Sequence, residues 1–533
     1  MRNDQGRASW NIVLNRMFPL AIIALAVVAY ANSFRGVFLY DDTDMLRRLC
    51  SGVSSGDSLR KIMHGSSRPV VDLTFFLNYL AGNVRPADYH AVNILIHVLT
   101  ALLLFGIVKM TLRLPVFANR FEQAAPGIAF VSAALWACHP LVTAAVTYIV
   151  QRYECMMGFF LLLTLYCTIR GATAIRGAAG WHMAAVIACV AGMGCKEVMI
   201  VAPVAVLLYD WIFLSKGSVK VLLGRWGLYL GLIFGWLFLT ALLAYSKPTG
   251  DNPSVYTLAY VWKGVSPISY LATEMNVILR YLRLAVCPTG LCFDYWWPPA
   301  QLGLRLVLSS TIIGGLAIVT ALAVFRKRAW GYPLAWFFLI LAPTSSFIPR
   351  PDPIVEYRMY LPLMGIVVLL VSISYVALQN IAARLNLSGK IRGIVAGGVS
   401  SGLLALLVAL TIARNEVYRS EESIWKSSIA GSPDNLKAYV GLGAVLLSTG
   451  KNDEARECFE ETLARCPAVT EPTQYYFKAV KAMTHNNLGV LMFRKGKYQE
   501  AEKHFRESLG VIPDAKDVQD NLARALKMQG KSE

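Results

Sequence analysis

Apolar runs long enough to cross a bilayer recur from Met17 to about Ala413, with short polar loops between them. A helical span needs about 20 consecutive apolar residues. The loops alternate in character. Arg2, Arg7 and Arg16 precede the first run, and Asp41-Asp42 follows it. The run 89–108 leads to Lys109, Arg113 and Arg120. Further basic loops carry Arg170 and Arg176, then Lys216, Lys220 and Arg225, then Arg326-Lys327-Arg328, then Arg384, Lys390 and Arg392. Loops of mixed charge lie between them, at 151–154, 196–197 and 344–357. Lysine and arginine accumulate in cytoplasmic loops. The alternation therefore predicts about eleven spans, a cytoplasmic N-terminus and an extracytoplasmic C-terminus. Segment 265–286 is only half apolar, which predicts a re-entrant or interfacial helix on the outer side. The first run is too long for a signal-peptide core and passes directly into the Asp41-Asp42 loop, which predicts an uncleaved span.

Beyond Ala413 the pattern changes to that of a soluble helical repeat. Pro433 and Pro467 stand 34 residues apart, the tetratricopeptide (TPR) period. Leu442-Gly443, Gly450, Ala455, Phe459 and Pro467 form one register, and Leu488-Gly489, Gly496, Ala501, Phe505 and Pro513 repeat it. Leu522, Leu526 and Gly530 begin a third copy, Trp425 and Pro433 close an earlier one, and 472–482 reads as an insertion. The expected fold class is all-α: a polytopic membrane domain over 1–413 and an extracytoplasmic TPR solenoid over 414–533. TPR stacks offer a concave groove for a peptide.

Composition agrees. The chain is 56% hydrophobic and 16% charged, against about 25% charged in soluble domains. The net charge of +18 does not point to nucleic acid, because many of the basic residues sit in loops between spans. No zinc-like CxxC pair occurs among the ten cysteines. Cys287 and Cys292 are close enough to pair if their loop is extracytoplasmic.

The candidate chemistry gathers in the loops assigned outside. The first carries Asp41, Asp42, Asp44, His64, Arg68 and Asp72; the next two carry Arg152 with Glu154 and Lys196 with Glu197; a later one carries Arg350, Asp352, Glu356, Tyr357 and Arg358. Cations at a membrane edge hold a lipid-linked phosphate. A carboxylate takes the proton from an attacking hydroxyl, and the same cations stabilise the departing phosphate. Plainer readings compete: Lys196 with Glu197, or Arg152 with Glu154, as simple ion pairs; His90, Asn93 and His97 as an internally bonded stripe; His139-Pro140 as a helix break; Asp294 with Trp296 and Trp297 as an interfacial belt or a sugar platform.

In order along the chain come Asp41-Asp42; Arg68-Pro69 with Phe75, Asn78, Tyr79 and Tyr89-His90; His139-Pro140 with Arg152; Cys195-Lys196-Glu197 and Tyr209-Asp210; Cys292-Phe293-Asp294; and 356–362, Glu-Tyr-Arg-Met-Tyr-Leu-Pro. Followed by TPRs, this order resembles the transmembrane-and-TPR O-mannosyltransferases and their bacterial relatives in the GT-C glycosyltransferase superfamily. The resemblance implies a polyprenyl-phosphate-linked sugar as donor and a protein or peptide acceptor, with the TPR groove as its possible docking surface. It implies a first-loop acid, Asp42 or Asp41, as the catalytic group. It implies Arg358, Lys196 and Arg152 as the phosphate-binding cations, with Glu356, Glu197, Glu154, Arg68, His64 and Tyr357 in support. No metal or cofactor is required by the pattern. Ala144 departs from it, standing where the relatives carry an acid after His-Pro-x-x-Thr, and the repeat array is short. The compact array points to a bacterial inner-membrane enzyme that uses undecaprenyl phosphate, with periplasmic repeats. The alternatives are the same chemistry on a lipid or cell-envelope glycan, and a non-enzymatic TPR scaffold anchored in the membrane.

Overall fold

The computed structural model describes residues 2–50, 62, 65–82, 84–118, 120–246, 265–350, 352–467 and 474–531. Among the described residues every regular element is a helix. Helices of eight or more residues are numbered in chain order. The first apolar run forms α1 (Arg2–Tyr30), and the loop after it carries α2 (Asp41–Cys50) and α3 (Pro69–Gly82). The bundle continues through α4 (Pro86–Leu112), α5 (Ala125–Ala137), α6 (Arg152–Thr173), α7 (Ala178–Met193), α8 (Ala202–Tyr209) and α9 (Trp226–Tyr245). It closes with α10 (Pro267–Val286), α11 (Leu304–Phe325), α12 (Gly331–Leu341), α13 (Pro362–Arg384) and α14 (Gly389–Glu416).

Among the described residues, eight helical segments are long and apolar enough to cross a membrane. A ninth arises if α5 and Pro140–Val146, bent by 51°, count as one span. His139-Pro140 makes that bend, as expected, because proline lacks the N–H that would continue the helix. The expected count of about eleven is not reached. The two missing spans are α7, with 16 residues, and α12, with 11. At 1.5 Å per residue each regular helix is shorter than a core of about 30 Å, yet Lys196 beyond α7 pairs with Glu154 and Arg350 beyond α12 pairs with Glu197, so the chain through both returns to the Asp41 end.

Segment 265–286 does not pass as a span. Its helix α10 instead buries one stripe, Tyr270, Glu274, Val277, Tyr281 and Leu284. The four- and three-residue spacings of that stripe are those of an amphipathic helix packed on one side. Cys287 and Cys292, which stand close enough in sequence to pair, are both free thiols, the first exposed and the second buried.

The first and last spans are tied by polar groups. Asn415 Nδ2 donates to the Ala29 carbonyl (2.9 Å), Asn32 Nδ2 donates to the Ile412 carbonyl (2.9 Å), and Thr147 Oγ1 donates to Asn415 Oδ1 (2.7 Å).

Six helices follow: α15 (Glu421–Gly431), α16 (Leu436–Ser448), α17 (Asn452–Arg465), α18 (Gln474–Arg494), α19 (Tyr498–Val511) and α20 (Lys516–Met528). They have their own core, built on Trp425, Ala455, Phe459, Leu488, Ala501 and Phe505. The expected register is present. A Cβ on Gly443 would lie 2.5 Å from the Phe459 ring, and one on Gly489 would lie 2.5 Å from the Phe505 ring. Gly450 and Gly496 turn the chain at φ +81° and +74°, where only glycine is unstrained. The expected insertion is mostly helical, since α18 starts at Gln474; residues 468–473 lie outside the described residues.

The repeat domain docks at the Asp41 end of the bundle. Trp296 stacks on Tyr476 with centroids 3.8 Å apart, and Asn435 Nδ2 donates to the Asp294 side chain (2.9 Å). Lys437 pairs with Asp294. Asp294 and Trp296 therefore serve as a domain joint rather than as an interfacial belt.

Gly489→Val sets two magnitudes against each other. Leaving glycine gains at most about 1 kcal/mol of helix propensity, whereas overpacking a close helix contact costs about 1–3 kcal/mol. The variant is expected to lower the melting temperature of the full chain in detergent.

Candidate active site at one end of the bundle

The chain leaves α1 through a turn at Ala31–Arg35 and reaches Tyr40 at φ +41°. A residue with a side chain adopts this left-handed conformation at a cost, and such strain clusters at functional sites. Immediately after it the two aspartates diverge. Asp42 is fully buried; its Oδ2 accepts from the Leu39 amide (2.9 Å) and its Oδ1 from the Val150 amide (2.7 Å). It clamps the first loop to the turn before α6. Asp41 is exposed, and its amide donates to the Tyr148 hydroxyl (3.1 Å). Partial desolvation pushes the Asp41 carboxyl above the ordinary carboxylate range; the Tyr148 hydroxyl opposes the shift, and Asp44 and Asp352 add to it. Burial pushes Asp42 further up, against its two amide donors. Of the pair, Asp41 alone has an open carboxylate.

Next to this loop is a lattice of alternating charge: the Tyr357 ring that takes Lys196 also feels the charges of Asp41 and Glu154. Lys196 Nζ donates to Glu154 Oε1 (2.5 Å) and lies 5.1 Å from the centre of the Tyr357 ring. Arg68 donates to Glu197 Oε2 (3.1 Å) and covers the Tyr153 ring at 4.9 Å. Arg350 reaches Glu197 Oε1 at 3.7 Å, and its Nε is buried without a hydrogen-bond partner. The two simpler pairings are thus both replaced: Lys196 goes to Glu154, and Glu197 to Arg68 and Arg350. Three cations share two carboxylates, which leaves a surplus positive charge suited to an anionic guest. Arg358, half-buried, donates to the carbonyls of Pro353 (2.8 Å) and Asp352 (2.7 Å).

Arg152 does not belong to this open lattice. It is fully buried; Nε donates to Asn93 Oδ1 (2.7 Å), Nη1 to Thr74 Oγ1 (3.2 Å) and Asn78 Oδ1 (2.7 Å), and Nη2 to the Tyr89 carbonyl (3.1 Å). A guanidinium so occupied is a strut between α3, α4 and α6, not a phosphate ligand. Glu356 is likewise an anchor. Its buried carboxylate accepts from the Cys292 amide (2.7 Å), the Tyr295 hydroxyl (2.7 Å) and Arg414 Nη2 (3.1 Å). His64 lies outside the described residues.

The stripe on α4 is bonded at two of its three residues, while both ring nitrogens of His90 are buried without a hydrogen-bond partner. Asn93 Nδ2 donates to the carbonyls of Val146 and Ile149, and His97 joins Tyr360 and the Ala137 carbonyl. Among the described residues no cluster of three or more His, Cys, Asp or Glu is placed to hold a metal.

Two residues escaped the sequence reading. Glu274 on α10 is fully buried, with the Tyr270 and Ser345 hydroxyls beside its carboxylate. Burial pushes its pKa up to about 7, with Arg358 opposing. A lone acid on a half-apolar segment was the available signal. Lys437 on α16 is the other. It pairs with Asp294, and its charge also acts on Asp352 and Tyr40 and on Asp41. No local signal marked it, because its neighbours arrive from the other domain.

With this geometry in place, the comparisons with known proteins bear on the chain. A tetratricopeptide-repeat family model matches residues 436–469 and 482–511. The chain is 26% identical over 500 residues to protein O-mannosyl-transferase TMTC4 of Homo sapiens, covering 82% of this chain and 64% of the relative. It is 24% identical over 476 residues to protein O-mannosyl-transferase F38B6.6 of Caenorhabditis elegans (84% and 63%). To protein O-mannosyl-transferase Tmtc3 of Drosophila melanogaster it is 25% identical over 523 residues (83% and 54%). The chain is thus a homologue of these proteins, and it spans less than two thirds of the length of each.

Removing each aspartate separates clamp from open carboxylate. Asp42→Ala strands two buried amides, each worth about 1–3 kcal/mol, and is expected to lower the melting temperature by several degrees. Asp41→Ala is expected to melt close to wild type.

Proposed function

We propose that this protein is a membrane glycosyltransferase that moves one sugar, mannose or another hexose or amino sugar, from a polyprenyl phosphate to a Ser or Thr hydroxyl of an acceptor protein. The observation that carries the reading is the juxtaposition of one open carboxylate, Asp41, with the cation-rich lattice of Arg68, Lys196 and Arg350 in a chain homologous to O-mannosyltransferases. The acceptor and donor sites, and the repeat domain, then share one side of the membrane. With the N-terminus in the cytoplasm that side is extracytoplasmic, periplasmic in a bacterial cell with undecaprenyl phosphate as carrier. Partners are the lipid-linked sugar, the acceptor polypeptide and the surrounding lipids, and no metal or cofactor takes part.

In the proposed step Asp41 accepts the proton of the acceptor hydroxyl as that oxygen attacks the anomeric carbon. The bond from that carbon to the phosphate oxygen breaks on the opposite face, so the configuration inverts. The electron pair leaves with the polyprenyl phosphate. Its growing negative charge is met by Arg68, Lys196 and Arg350, with Arg358 holding the 352–353 loop behind them.

Asp41→Asn is expected to cut transfer by about a hundredfold or more at normal protein abundance. Intact masses of exported proteins, compared between wild type and variant, would show the loss of a hexose-sized or amino-sugar-sized increment. Full transfer by Asp41→Asn would reject the assignment of the base. An unchanged set of protein masses, with sugar lost from lipid or envelope glycan, would reject the protein acceptor.

The pH profile supplies a second check. The base works deprotonated and its pKa is raised. Activity is therefore expected to fall with acidification already above the ordinary carboxylate range. Rates measured across that range would show the ascending limb displaced upward.

A further inference from the structure

Between the first loop and the repeat domain lies a pocket of about 210 Å³. Tyr40 and Phe293 wall it from the membrane domain; Trp425, Val440, Ala444 and Met483 wall it from the repeats. Its position is the first argument. Tyr40 directly precedes Asp41, holds a left-handed φ of +41°, and sets its ring edge-on to Trp425 with centroids 6.3 Å apart. Whatever fills the pocket bears on the backbone that aims the Asp41 carboxylate. Strain of this kind, about 1–3 kcal/mol, persists only where the surroundings impose it.

Shape is the second argument. Gly441, Ala444 and Ser448 all line the pocket from α16. Their spacings of three and four put them on one helix face; the Trp425 ring packs on Gly441, where a Cβ would collide with it, and the small side chains of Ala444 and Ser448 leave a shallow trough beside that ring in which a polypeptide backbone fits. The chemistry of the rim is the third. Lys437, Glu421 and Asn487 mix donor and acceptor groups of opposite charge. The Lys437 ammonium is already paired with Asp294. Such a rim suits backbone amides, which offer both a donor and an acceptor. An anionic headgroup would want an unshared cation, and a sugar would want more polar walls.

We propose that this pocket is the acceptor subsite. It takes an extended polypeptide segment, seats one small or apolar side chain against Trp425 and Ala444, and delivers the neighbouring Ser or Thr to Asp41. The catalytic site is then composite, with α15 and α16 of the repeat domain forming its acceptor wall. The inference rests on the proposed transfer reaction for its purpose but is tested by binding.

The probe is a pool of fluorescent random-sequence dodecapeptides, each with one Thr, titrated against the full chain in detergent. Ser448→Trp, at an exposed position, and Ala444→Leu both fill the trough. Each is expected to weaken binding about tenfold, which corresponds to about 1.4 kcal/mol, with melting temperatures near wild type. Equal binding by wild type and both folded variants overturns the proposal, and so does the absence of binding to wild type. Binding lost in the variants, together with a wild type that transfers no sugar to any peptide, keeps the polypeptide subsite and rejects the transfer reaction.

Discussion

The buried carboxylate of Glu356 is the interaction on which the arrangement turns. A charge taken out of water is tolerated only when its lone pairs are filled. Glu356 fills them with the Cys292 amide, the Tyr295 hydroxyl and the Arg414 guanidinium. Those three donors come from the loop after α10 and from the last span. One carboxylate thereby fixes the 292–297 segment against the bundle. On that segment stand Asp294 and Trp296, which hold Lys437, Asn435 and Tyr476 of the repeats. The repeat domain is placed beside Asp41 because Glu356 holds the platform on which it docks.

The other charges at this end divide by the same rule. Asp42 and Arg152 are fully buried and fully engaged, so they carry geometry. Arg68, Arg350 and Glu197 stay about a third exposed and share their partners incompletely. Exposed pairs of this kind contribute little to stability, so they can be rearranged around a guest at little cost. Asp41 keeps an open carboxylate because Asp42 beside it bears the structural load.

Much of this was legible along the chain. The alternation of apolar runs with basic and mixed loops located the bundle and put all the candidate residues at one end. The TPR register was readable position by position, because a glycine facing a phenylalanine 16 residues later is a local requirement of two helices in contact. The number of spans was less legible. Hydropathy registers apolarity over a segment, whereas the regular helices α7 and α12 are each shorter than a bilayer core, although the chain through them reaches the end where Lys196 and Arg350 sit. Glu274 and Lys437 were missed for a related reason: one is buried by the stripe of its own helix, the other by a domain far away in sequence.

What the sequence determined by itself was therefore periodic: where spans recur, where repeats recur, and which loops collect charge. These follow from interactions between residues a few positions apart and from the bilayer acting on whole segments. The tertiary structure decided which member of each charged group is open. Asp41 rather than Asp42 keeps a solvent-facing carboxylate, Lys196 takes Glu154 rather than Glu197, and Arg152 is a strut rather than a ligand. Each outcome depends on desolvation by partners distant in the chain, a three-dimensional quantity that adjacent letters such as Asp-Asp or Lys-Glu do not contain.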